Sequence, residues 1–179
     1  EHAGMFLLWR PKQIYAAVKT IRKTLNTDKV MMIMDHEHLA TQGLDALIES
    51  RESIKTTPDF GELTISVHSN HPNPLHPHEP LEHGDLTLYE LLYNLRVTGL
   101  GTKREAFLVY ERGGGEDPFQ RSVDILKLMA RFLQTETPTK PDNLPLEFYG
   151  MKEMSGDVDR QLMLIMDHKM EPIKDSEEC

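Results

Sequence analysis

Three short runs of the chain are apolar at nearly every position: "VMMIM" (Val30–Met34), "LTISV" (Leu63–Val67) and "AFLVY" (Ala106–Tyr110). Continuous hydrophobicity, as opposed to alternation, is the pattern of strands buried within a parallel sheet. Between the runs the apolar period lengthens to that of a helix. Pro11–Leu25 opens on a proline suited to a first turn and puts Ile14, Val18, Ile21 and Leu25 on one face. Leu39–Ser53 reads as a helix interrupted by Gly43. Leu86–Leu100 gathers Leu88, Leu91, Leu92 and Leu95 and stops at Gly99–Gly101. Pro118–Gln134 repeats the pattern through Val123, Leu126, Leu128, Met129 and Phe132.

Strand alternating with helix predicts an α/β fold with a parallel sheet and right-handed crossovers. An open doubly wound sheet and a closed eight-stranded barrel both obey that rule. Three such strands, with "EHAG" at Glu1 read as the exit from a fourth, supply about half a barrel. The expectation is therefore a segment of a longer polypeptide, completed by further strands or a companion chain. Prolines thicken from Pro138 to Pro145, so residues 1–137 are expected to form the repeating part. Residues 138–179 are expected to be a Pro-rich linker and an appended helix around Val158–Met170.

Charge narrows the partners. The chain has 179 residues and a net charge of −9, from 29 acidic and 20 basic side chains. No Lys/Arg cluster stands out, which argues against nucleic acid as the main partner. No run approaches a membrane span. The single cysteine, Cys179, rules out an internal disulfide framework and suits a reducing cytoplasmic setting. Histidine is the unusual component: seven of nine lie between His36 and His83.

Those histidines bring the strand ends into focus. "MMIMDHEH" passes from apolar to ionisable within one residue, and the other strands also finish on groups able to bind a cation. The four strand-end residues are Glu1, Asp35, His68 and Glu111. In parallel α/β folds the carboxyl ends of the strands form the working face, where carboxylates crowded together need neutralising. A divalent ion does this, and three carboxylates with one imidazole suit Mn²⁺, Mg²⁺, Co²⁺ or Zn²⁺.

With these residues in hand, the chain resembles the second half of the xylose-isomerase-like (β/α)₈ TIM barrels, a family of sugar isomerases, sugar epimerases, inosose dehydratases and endonuclease IV nucleases. The resemblance runs from Glu1 to Leu133, from the end of strand five through helix eight. It rests on Glu1, the Asp35 and His38 of "DHEH", the His68 of "SVHSNH", the Glu111 of "VYERGGG", and "HGDLTLYELLYNLRVTGLG". It implies a metal-dependent isomerase or epimerase, or a lyase using the same enolate logic, acting on a sugar-like hydroxy-ketone or hydroxy-aldehyde. Glu1 and Glu111 would be both ligands and the proton-transfer pair. His38 would bond a substrate hydroxyl, or alternatively cap or steady the site. The alternatives are an endonuclease IV-like phosphodiesterase and a non-catalytic metal-binding barrel domain. Self-association is a further expectation.

The loop His68–Asp85 carries five His and four Pro, so its imidazoles are held on a stiffened backbone. In the nuclease branch an Asp-x-His pair here ligates a further metal; the similar place reads His76-Pro77-His78. A second ion at His38, His76 and His78 and a lid whose His78 contacts substrate are both open readings. Arg112 is placed to contact substrate or pair with an acid. Trp9 is placed as a sugar-stacking wall or as packing beneath the other half. His36, His71 and His83 carry no assignment. The glycines of "ERGGGEDPF" are read as a flexible turn, with Glu116 and Asp117 capping the next helix.

Overall fold

The computed structural model describes residues 8, 10–73, 75, 78–111 and 119–151, with the backbone alone at 44–46. Its first helix, α1, spans Pro11–Leu25, with Pro11 at the first turn and Asn26 closing it in the left-handed conformation at φ 47°. Strand β1 (Met32–Asp35) leads directly into a short helix α2 (His36–Ala40), and α3 follows at Leu44–Thr56. The helical stretch expected over Leu39–Ser53, interrupted at Gly43, is thus two helices that divide at that glycine. Gly43, at φ 101°, supplies the turn between them, a conformation costly for any residue with a Cβ. Next come β2 (Thr64–His68), α4 (Leu86–Val97), β3 (Phe107–Val109) and α5 (Phe119–Leu133).

The three strands form one parallel sheet in the order β1-β2-β3, the order of the chain. The helices neighbour one another in the same sequence: α1 on α3, α3 on α4, α4 on α5. Sequential parallel strands under a single file of helices are found both in a closed barrel and in one half of a doubly wound sheet. Burial follows that layout. The register aligns Met34, Val67 and Leu108 on one face and Ile33, Ser66 and Phe107 on the other. Met34 and Val67 are buried, whereas Ile33 and Phe107 are each 55% exposed.

Close packing fixes the crossover between α4 and β3. Gly61 lies so near α4 that a Cβ there would overlap the Leu95 carbonyl oxygen. The Gly61 amide donates to Thr98 Oγ1 at 3.0 Å, and Glu62 N–H to the Thr98 carbonyl at 3.0 Å. Beyond α5, the stretch expected to be a linker packs back on the body. Tyr89 donates its hydroxyl to the Thr139 carbonyl at 2.8 Å, and Phe148, 1% exposed, meets the Tyr89 ring edge-on. Burial pushes the Tyr89 hydroxyl up to about 12. The expected helix around Val158–Met170 lies outside the described residues. Among the described residues, no helix is long and apolar enough to cross a membrane.

Candidate metal centre

The polar end of β1 is the start of a helix. Asp35 is the N-cap of α2, its Oδ1 accepting the His38 N–H at 3.0 Å. This bond anchors the carboxylate and leaves Oδ2 to the His38 and His68 rings. Asp35 pairs with His68 across the ladder, and His68 with Val109. Side chains alternate along a strand, so Asp35 and His68 continue the face that carries Ile33 and Ser66, opposite the helices.

Asp35 and His68 lie together with Glu111. The His68 Nδ1 lies 3.2 Å from Asp35 Oδ2 and 3.2 Å from Glu111 Oε2. One ligand atom from each of Asp35, His68 and Glu111 falls within 4.8 Å of the others. A single ring nitrogen carries at most one proton, so at best it shares that proton between the two carboxylates. Among the described residues, no Lys or Arg side chain forms an ion pair with either acid. A divalent cation would satisfy all three ligand atoms, and the donor set of two carboxylates and one imidazole fits a hard or borderline ion.

Glu111 owes its position to Asn70. Past Ser69 the ladder between β2 and β3 gives way to a side chain. The buried Asn70 amide donates to the Glu111 carbonyl at 2.6 Å, while its Oδ1 accepts the Glu111 N–H at 3.1 Å. The same amide reaches the Glu79 carbonyl at 3.4 Å, tying in the His-rich loop one residue after His78. Nearby, His71 Nδ1 pairs at 2.7 Å with the buried Asp85, whose other oxygen accepts the Glu82 N–H at 3.1 Å.

A second group adjoins the first. His38 Nδ1 is 3.0 Å from Asp35 Oδ2, and His78 Nδ1 is 3.7 Å from Glu111 Oε2. Between the two imidazoles sits Glu37, 2% exposed, with Oε1 at 3.7 Å from His38 Nε2 and 3.4 Å from His78 Nδ1. Burial pushes the Glu37 carboxyl up and the His38 imidazole down from their ordinary values. Sequence reasoning counted Glu37 among the ionisable groups that end the apolar run but gave it no role. The available signal was its place in the first turn of a helix capped by Asp35, next to His38.

Of the expected site residues, Asp35, His68 and Glu111 come together, and His38 and His78 come together beside them. Glu1, Trp9, His76 and Arg112 lie outside the described residues. His36 points into the interior, fully buried, and burial brings its imidazole down to about 3. No protein-family model, no curated protein and no solved structure matches this chain.

Proposed function

We propose that the chain is part of a divalent-metal-dependent isomerase or epimerase acting on a sugar-like hydroxy-carbonyl compound, built on a singly wound (β/α)₈ barrel of which these strands are consecutive members. The convergence of Asp35, His68 and Glu111 at the carboxyl ends of three successive parallel strands carries this reading. The bare sheet face below them supports the barrel, since the inward face of such a sheet is covered only when further strands close it.

A divalent cation at these ligands would supply Lewis-acid stabilisation of the charge that develops as a proton leaves carbon beside a carbonyl. The protein's own contribution is positioning and proton transfer. Asp35 and His68 are held by the α2 cap and the ladder. Glu111, on the Asn70 clamp, offers a carboxylate to the substrate face and is the proton-transfer residue assigned among the described positions; Glu1 is proposed as its counterpart. Imidazoles of the His-rich loop border the same space.

Incubating the chain with Mn²⁺ and a panel of ketoses and aldoses in D₂O tests this. Solvent deuterium should enter at the carbon next to the carbonyl, and Glu111→Gln should slow that entry at least ~100-fold, the scale of a lost general base, while the circular dichroism spectrum is retained. Deuterium entry unchanged in Glu111→Gln, or no divalent ion bound by the unmodified chain, would overturn the assignment.

A further inference from the structure

Asp85 stands at the N-cap of α4 and does not cap it. An aspartate there ordinarily accepts an amide of its own first turn. Here the carboxylate, 8% exposed, turns instead to His71 Nδ1 at 2.7 Å and to the Glu82 N–H at 3.1 Å. A carboxylate only accepts, so the proton of the His71 contact sits on Nδ1. In the neutral ring this leaves the Nε2 lone pair open, and among the described residues Nε2 has no partner. His71, its side chain 38% exposed, lies at the carboxyl-end rim of the sheet. It follows Asn70, whose amide clamps Glu111, and its backbone pairs with Glu79, next to the His78 that reaches Glu111. Its charge also bears on the ring of His36, the neighbour of Asp35. A buried acid that fixes one ring nitrogen and bares the other is the arrangement of a proton carrier.

We infer that His71, oriented by Asp85, carries a proton between two oxygens of the substrate, which makes the reaction an aldose–ketose isomerisation and not an epimerisation. The inference rests on the proton-transfer reading above and names its outcome. Epimerisation removes one carbon-bound proton and returns one to the same carbon. Isomerisation must also move a hydroxyl proton to the former carbonyl oxygen. The steps balance. Glu111 takes the proton from the carbon beside the carbonyl; the freed pair becomes a carbon–carbon double bond, and the carbonyl oxygen takes up the charge. The neighbouring hydroxyl gives its proton to His71 Nε2, leaving the ring cationic against Asp85, and the ring passes that proton to the first oxygen. The charge, now on the second oxygen, collapses to the new carbonyl. The double-bond pair takes back the proton from Glu111 at the former carbonyl carbon. Protons and electrons are conserved, and no further reactant is needed.

Separate measurement of deuterium entry and ketose formation tests the role of His71. A panel of aldoses is incubated with the chain and Mn²⁺ in D₂O, and the unmodified protein should do both. His71→Gln should still bring deuterium into the aldose while ketose formation falls ~100-fold, the scale of one lost acid–base group. Because that variant strands the buried acid, Asp85→Asn is measured beside it and should show the same split. The single oxygen of the new amide is kept by the Glu82 N–H. Its NH₂ therefore donates to Nδ1 and sends the ring proton to Nε2, a change read directly from the imidazole ¹⁵N shifts. Ketose formation unchanged in both variants, or reduced no more than deuterium entry, would overturn the role of His71. Deuterium entry with inversion and no ketose from the unmodified chain would also overturn it, while leaving the metal-dependent reading standing. No deuterium entry in the unmodified chain would overturn that reading, and this inference with it.

Discussion

At the scale of single residues, the four consecutive ionisable positions that begin with the last residue of β1 divide their labour according to where the first turn of α2 points each one. Asp35 caps the turn, Glu37 and His38 face the second cluster, and His36 is turned into the interior with both ring nitrogens lacking a partner. His36 has a pH consequence. Its imidazole falls from 6.5 to about 3 because burial opposes its charged form, so the folded state binds its proton less readily than the unfolded chain. The stability tied to a neutral His36 is then complete above about 6.5 and drains away as pH falls toward about 3. His36→Leu in metal-free protein should flatten the loss of urea midpoint between pH 7 and pH 4, and at pH 7 should cost little, because it replaces an unsatisfied polar ring with an apolar side chain. An acid-induced loss as steep in His36→Leu as in the unmodified protein would show that other groups govern it. Composition showed that histidines crowd this region; it could not say which were ligands and which was core, since that depends on a helix phase set by one capping bond.

At the scale of elements, the sequence was legible wherever a segment's own pattern decides its structure. The α1 limits, Pro11 and Leu25, follow from a proline start and an apolar stripe. The three strands lie at the three apolar runs. Legibility stopped where a distant contact decides, as at the residues after 138, which fold onto Tyr89. It stopped also at the end of β2, where a side-chain amide replaces the ladder. Asn70 bonds both backbone groups of Glu111 and the carbonyl of Glu79, linking the segments that carry Glu111 and His78. Asn70→Asp keeps the shape but sets a carboxylate oxygen against two carbonyls. It should weaken Co²⁺ at the Asp35–His68–Glu111 site about 10- to 100-fold, the usual effect of removing a group that orients a ligand, and alter the Co²⁺ absorption bands. A lower melting temperature with unchanged Co²⁺ affinity and spectrum would reduce Asn70 to a structural fastening.

At the scale of the whole molecule, the sheet is two-sided in chemistry and one-sided in cover. A lone exposed Ile or Phe needs no explanation. Ile33 and Phe107, however, flank Ser66 in one row of the sheet, one pleat below Asp35 and His68, on the face that the file of helices leaves bare. Strands that are apolar on both faces are the mark of a sheet covered on both. An α/β fold with a parallel sheet was thus readable along the strands, whereas nothing in the strand pattern names what would cover the second face, where Ile33 and Phe107 stay exposed. Closure by further parallel strands would bury Ile33 and Phe107 beneath the ligands, giving the centre a dry floor. The chain should accordingly associate, either with itself or with a companion that supplies strands. In sedimentation, the doubly substituted Ile33→Lys, Phe107→Lys protein should shift toward monomer relative to the unmodified chain, because two charges on a mating apolar face oppose its burial. A well-folded, monodisperse monomer from the unmodified chain, with both substitutions neutral to its thermal midpoint, would mean that this face is finished as it stands and that the barrel reading fails.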